Sequence, residues 1–356
     1  MSIEFARAKP MTLGGKLPKF FTPGAVVLAL TAAYLIASSA AVAGGSEINL
    51  IAIAVLGFVV FTLISSAASL AVEGARKAKD RFVTTLVTSA FLVAMVPLAS
   101  LVVTVLSLGL KRFDAEFFSS SMRNVLGSGG GAIHAIVGTL EITLLATLIS
   151  VPIGILTAIY LVEYGRGRLA KSVTFFVDVM TGIPSIVAGL FAYAMFALIF
   201  GPGVRMGIAG SAALSVLMIP VVIRSTEEML KIVPNELREA SYALGVPKWL
   251  TVLKVVIPTA IAGIVTGVMI AIARVIGETA PLLLVAGFTA SMNYNPLDGR
   301  MMTLPVFVFT SYANVGTDFQ SYIDRAWAGA LTLMLIVMLL NLGARVVAKV
   351  FSPKKG

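Results

Sequence analysis

Long apolar runs decide what this chain can become. Segments near residues 24–43, 49–72, 84–110, 133–162, 173–201, 207–223, 259–287 and 328–350 reach or approach the ~20 residues an α-helix needs to cross hydrocarbon. They are rich in Leu, Val, Ala and Gly and lack the period-2 alternation of barrel strands. Lipid offers backbone groups no hydrogen-bond partner, so the helix is the spanning solution left. The sequence therefore predicts an all-α polytopic membrane protein of about eight transmembrane helices.

Composition agrees. Charged residues make up 12% of the chain, against roughly 25% in soluble domains. The absence of cysteine and the single histidine, His134, exclude disulfides, thiolate metal sites and histidine-rich metal sites. No cofactor is expected.

The net charge of +10 would suggest nucleic acid in a soluble protein. Here the basic residues sit in short loops, which argues for topology and against a nucleic-acid partner. With the N-terminus in the cytoplasm, the inside segments hold twenty Lys and Arg and the outside segments six. That asymmetry predicts cytoplasmic N- and C-termini, with residues 351–356 as a cytoplasmic tail. Residues 1–43 also carry a basic start, an apolar run and Ala41-Val42-Ala43, an A-x-A cleavage pattern. The apolar run is long for a signal peptide, which favours an uncleaved helix.

Two outer stretches stand out. Ser119-Ser120-Ser121 with Gly127-Ser128-Gly129-Gly130-Gly131 reads as a flexible connector. Residues 288–327 contain an apolar patch, Met301 to Phe309, with two expected places: along the membrane surface or over an outer vestibule.

The loop at 224–258 is the most informative. Pro234 suits a helix start, Glu236 and Glu239 its positive end, and Gly245 its stop. Leu237, Ala240 and Leu244 share one face. A short amphipathic helix follows, either lying on lipid headgroups or docking into a groove of another protein.

Residues 259–287 hold a second pattern. Gly263, Gly267, Ala271, Arg274 and Glu278 fall on one helical stripe, which carries the one arginine expected to be buried. Small residues permit close helix contact. An arginine at a helix centre costs on the order of 2.5–3.5 kcal/mol on insertion scales, so this face should meet protein or water. Arg274 and Glu278, one turn apart, read either as a structural ion pair or as an oxyanion station in which an arriving anion competes with Glu278. Glu141 and Asp178 read as interfacial anchors, and Gly182 with Pro184 as a local helix break.

ATPase and protease motifs are missing. The nearest Walker A match, Gly165 to Ser172, has Ala170 in place of the second glycine and no preceding strand. The chain is expected to be a transport component and not an enzyme.

Glu239-Ala240-Ser241, three residues, Gly245, nine residues and Val255-Val256-Ile257-Pro258 resemble the EAA motif of ABC importer permeases, with conservative differences at Ser241, Val255 and Ile257. The stretches 235–245, Ala273 to Leu283 (A-R-V-I-G-E-T-A-P-L-L), Gly182 to Val187, and Ala135 to Leu140 with Pro152-Ile153-Gly154 resemble the PstA-type permeases of phosphate-specific ABC importers. The resemblance runs from about residue 84 to the C-terminus; residues 1–83, a cytoplasmic tail and a transmembrane hairpin, depart from it.

The resemblance implies a type I permease core over 84–350 in the cell membrane. It also implies a second permease subunit of similar fold, two ATP-binding subunits, and an external phosphate-binding protein. Glu239, Ala240, Ser241, Gly245 and Pro258 would couple to the ATPase; Arg274, Glu278, Thr279 and Arg224 would line the substrate path. Sulfate or molybdate as cargo, and a self-sufficient secondary transporter with Arg274 and Glu278 as an ion-coupling pair, are the alternatives.

Overall fold

The computed structural model describes residues 15–44, 49–316 and 318–351. Arg7, Lys9, Lys354 and Lys355 of the charge pattern, and residues 352–356 of the expected tail, lie outside the described residues. All regular structure among the described residues is helical. Seven helices are long and apolar enough to cross a membrane, and a bent pair supplies an eighth if it counts as one span. The chain divides into two compact units, residues 1–101 and 102–356.

In the first unit, α1 (Phe21–Gly44) and α2 (Leu50–Val72) pair side by side. Ala29, Ala33 and Gly57 sit at their contact, where the Leu30 side chain leaves little room beside Gly57. Asn49 starts α2 by accepting hydrogen bonds from the amides of Ile51 and Ala52. Glu73 closes α2. Its carboxylate accepts from the Ser69 hydroxyl (2.8 Å), the Leu17 amide (3.2 Å) and Arg81 (3.0 Å). Those hydrogen bonds, that of Ser69 foremost, hold the Glu73 carboxyl below the usual carboxylate range. A third helix, α3 (Ala75–Gly109), begins at once, nine residues before the apolar segment expected from 84.

The second unit is built on α5 (Ile133–Ile159), preceded by the short helix α4 (Ala115–Ser119) and lying along α8 (Gly207–Ile232). Their seam is polar as well as apolar: the hydroxyls of Ser211 and Ser215 on α8 donate to the carbonyls of Ile142 (3.1 Å) and Ala146 (3.5 Å) on α5. Small residues bring α11 (Ile257–Val275) onto α8, since a Cβ on Gly267 would meet Ser225 Oγ at 2.5 Å. α14 (Phe319–Phe351) packs on α11.

The segment expected at 173–201 is two helices, α6 (Gly167–Thr181) and α7 (Ser185–Phe200), bent by 109° at the Gly182–Pro184 break. Proline lacks an amide hydrogen and disfavours helix in the residue before it, which ends α6 there.

Several expectations are corrected. The run 259–287 is not one helix: α11 stops at Val275, Gly277 follows, and α12 (Ala280–Val285) starts anew. The loop 224–258 is shorter, because α8 continues to Ile232 and a helical run resumes at Lys248 with α10 (Lys248–Thr251). Pro258 lies inside that run. A π-helical turn at Val252–Val256 precedes it and accommodates the missing hydrogen bond and the bulk of the ring.

The glycine-rich stretch at 127–131 is tied down. Arg325 Nη1 donates to the carbonyls of Gly127 (2.6 Å) and Gly129 (2.9 Å), and Arg112 donates to Gly130 (2.9 Å). The residues from Met301 to Phe307 are buried core, carried into α13 (Leu304–Ala313), and not a surface patch.

Candidate functional site

Two regions hold the residues singled out by the sequence. The first is α9 (Asn235–Ala243), which starts after Pro234 and ends at a glycine with φ +75°, Gly245, a backbone state that glycine adopts without strain. Its inner side is fixed by polar contacts. The hydroxyls of Ser241 and Thr251 hydrogen-bond at 2.8 Å, both buried. Glu239 and Ala240 are exposed, and Leu237 and Leu244 on the intended apolar face are 41% and 83% exposed. Trp249 and Leu253 extend this uncovered apolar surface.

Arg238 anchors the helix. Its Nε and Nη2 donate to Oε1 of Glu163 at 3.0 and 2.8 Å. The same guanidinium caps the end of α8 by donating to the carbonyls of Val233 (2.6 Å) and Leu230 (3.0 Å). Glu163 is buried because a π-helical turn, Tyr160–Tyr164, extends α5 at this point. One side chain therefore joins α5, α8 and α9. Sequence reasoning missed it, since Glu163 and Arg238 lie 75 residues apart; the only local hint was a carboxylate at the end of an apolar run.

The second region surrounds α12. Arg274 lies in the last turn of α11, where a cation complements the negative helix end. It is exposed, not buried as the stripe implied; the arginine buried among the described residues is Arg325, 1% exposed, with its guanidinium over the Tyr322 ring at 4.5 Å. Arg274 forms no ion pair with Glu278 among the described residues, because the chain leaves helical register at Gly277. Glu278 and Thr279, both half-buried, form the turn into α12, with the Glu278 amide donating to the Val275 carbonyl at 3.1 Å.

Arg224 stands apart from this turn. Its Nη2 donates to Asp178 of α6 and its Nη1 to Glu227 (2.8 Å), which Lys231 also contacts (2.7 Å). Asp178 is thus an ion-pair partner and not only an interfacial anchor.

The stretches that carried the resemblance meet in space. Gly189 of α7 packs so closely on Pro281 of α12 that a Cβ there would reach Pro281 Cα at 2.7 Å. Thr139 of α5 accepts from the Leu304 amide at 2.7 Å. Leu282, at the centre of α12, is 2% exposed and joins the core formed with Ile142 and Leu214. The α7–α12 junction is therefore buried at Ala188 and Gly189, just past the GIPSIV stretch, of which Ile183 packs against the same core.

A bent, helical membrane domain with a pinned interhelix helix defines the class: the family model of the binding-protein-dependent transport system inner membrane component matches residues 150–356, and this chain belongs to that family. Within it, the chain is 43% identical over 272 residues to the phosphate transport system permease protein PstA of Mycobacterium leprae (strain TN), covering 75% of this chain and 88% of that protein. PstA of Pasteurella multocida (strain Pm70) is 38% identical over 281 residues, covering 79% of this chain and 96% of that protein. Among solved structures, a bacterial alginate ABC transporter in complex with its periplasmic protein shares the fold at TM-score 0.53 and 14% identity, covering 78% of this chain and 97% of that one. The MetNI methionine ABC transporter matches at TM-score 0.51 and 20% identity, covering 62% and 96%.

Proposed function

We propose that this chain is the transmembrane permease subunit of an ATP-driven importer that carries inorganic phosphate across the inner membrane. The observation that carries this reading is the 43% identity to a phosphate transport system permease over 88% of that protein's length. By the same kinship it works with a second permease, two ATP-binding subunits and an external phosphate-binding protein, both its termini cytoplasmic.

In this reading α9 receives the ATPase. Its exposed Leu237 and Leu244 enter a groove on that partner, while Arg238 and the Ser241–Thr251 bond transmit movement to α5, α8 and the helical run holding Pro258. Arg274 is the oxyanion contact. Its guanidinium, free of Glu278, offers a planar fork of donors that suits phosphate oxygens. Glu278 and Thr279 flank it, the carboxylate keeping retention weak enough for passage. Arg224 contributes only when Asp178 and Glu227 release it, so its part is the smaller.

The test is ATP-dependent phosphate uptake by vesicles holding the assembled complex, wild type against Arg274→Gln. Uptake collapses while assembly and ATP hydrolysis persist if Arg274 lies on the path. Intact uptake by the variant removes Arg274 from the path; a wild-type complex that moves sulfate or molybdate but not phosphate overturns the cargo.

A further inference from the structure

The first unit contains a cleft of about 430 Å³ among α1, α2 and α3. Val26 and Leu30 of α1, Phe58 and Phe61 of α2, and Leu92 of α3 give it apolar walls. α3 also turns a polar row into it: Arg81, Thr85 and Thr88, followed by Leu92, spaced four, three and four residues apart and so on one helix face. A guanidinium at the edge of an apolar cleft keeps its remaining donors satisfied only with a polar partner beside it.

The cleft has two ends of different character. Its mouth lies where α1 and α3 begin, beside Thr22 and Arg81. The flanking residues 15–19 and 73–81 carry six basic side chains against two acidic ones, Glu73 and Asp80. Arg81 stands over the Phe21 ring at 6.0 Å and gives Nη2 to Glu73, leaving Nε and Nη1 without a protein acceptor among the described residues. At the other end the lining is apolar, with Leu30 and Leu92. From Arg81 to Leu92 is roughly 16 Å of helix, about half the thickness of the hydrocarbon core.

We propose that this cleft holds one anionic phospholipid, its headgroup phosphate on Arg81 and an acyl chain running to Leu92. A cationic mouth over an apolar slot matches a ligand with an anionic head and an apolar tail. The depth matches a single leaflet, the cytoplasmic one in the orientation proposed above; a docked protein helix would be expected to run the full length of α3. Thr85 and Thr88 lie where the glycerol esters of such a lipid offer hydrogen-bond acceptors.

The experiment is native mass spectrometry of the assembled complex released from nanodiscs of equal phosphatidylglycerol and phosphatidylcholine. Wild type is expected to retain phosphatidylglycerol in preference. Arg81→Gln lowers that preference roughly fivefold. Thr88→Phe, which fills the slot, loses both lipids, and Arg168→Gln, at an exposed arginine of the second unit, changes neither. The proposal is overturned if Arg81→Gln retains phosphatidylglycerol as wild type does. It is equally overturned if a photo-crosslinker at Thr88 captures a polypeptide in place of lipid. Transport does not enter this readout, so failure of the phosphate reading leaves it standing.

Discussion

Removing the Arg238 side chain would strand Glu163, a carboxylate 5% exposed, with no cation beside it. It would also free the carbonyls of Leu230 and Val233 at the end of α8. Breaking one partner of a buried pair typically costs about 3–5 kcal/mol. Arg238→Ala is therefore expected to lower the thermal midpoint of the purified complex, with the Arg238→Leu/Glu163→Leu double variant recovering part of the loss. Lysine at this position is not an adequate substitute, because Arg238 serves Glu163 and two carbonyls from one planar fork. Arg238→Lys should fall between wild type and alanine in the same melt; a melt equal to wild type would show that the fork is not needed.

At the scale of elements, α9 was legible because its signals are local. Pro234, the acidic first turn and Gly245 lie within a dozen residues, and each acts on the backbone next to it. The same holds for the bend at Gly182–Pro184. The break after Val275 was harder to read. Its signals, Gly277 and the Pro281 that starts α12, stand in the sequence, but periodicity carried the stripe past them to Glu278. Arg325 was illegible for another reason: its partners at Gly127 and Gly129 are nearly two hundred residues away, and nothing near Arg325 distinguishes it from an exposed loop arginine. The residues from Met301 to Phe307 were misplaced likewise, since an apolar patch near a membrane has the same composition whether it meets lipid or protein. The outer face of α9 gives the prediction belonging to this scale. Leu244 is 83% exposed, so Leu244→Glu should leave the chain's own stability within about 0.5 kcal/mol. It should nevertheless reduce the amount of ATP-binding subunit recovered with the permease on size-exclusion chromatography. Unchanged recovery would remove Leu244 from the ATPase contact.

For the whole molecule, the two units differ in how much buried core each holds. The three buried hydrophobic clusters all lie in the second unit, between Phe117 and Ile336. The helix α9, the Arg238 anchor and the turn from Arg274 to Thr279 are in that unit too. The matched family model also falls wholly within it. By contrast, α1 and α2 contact each other through small residues and supply nothing to those clusters. A variant lacking residues 2–72, which removes α1 and α2 and leaves α3 whole, is therefore expected to assemble with its partners and to retain ATP-dependent phosphate uptake in vesicles. It should lose the preferential retention of phosphatidylglycerol, because Val26, Leu30, Phe58 and Phe61 go with the deletion. Uptake that survives in phosphatidylglycerol-poor vesicles would assign the hairpin to lipid contact rather than to the transport path. Loss of uptake with assembly intact would place α1 and α2 in the transport cycle itself, and the functional boundary would then have to be drawn before α1.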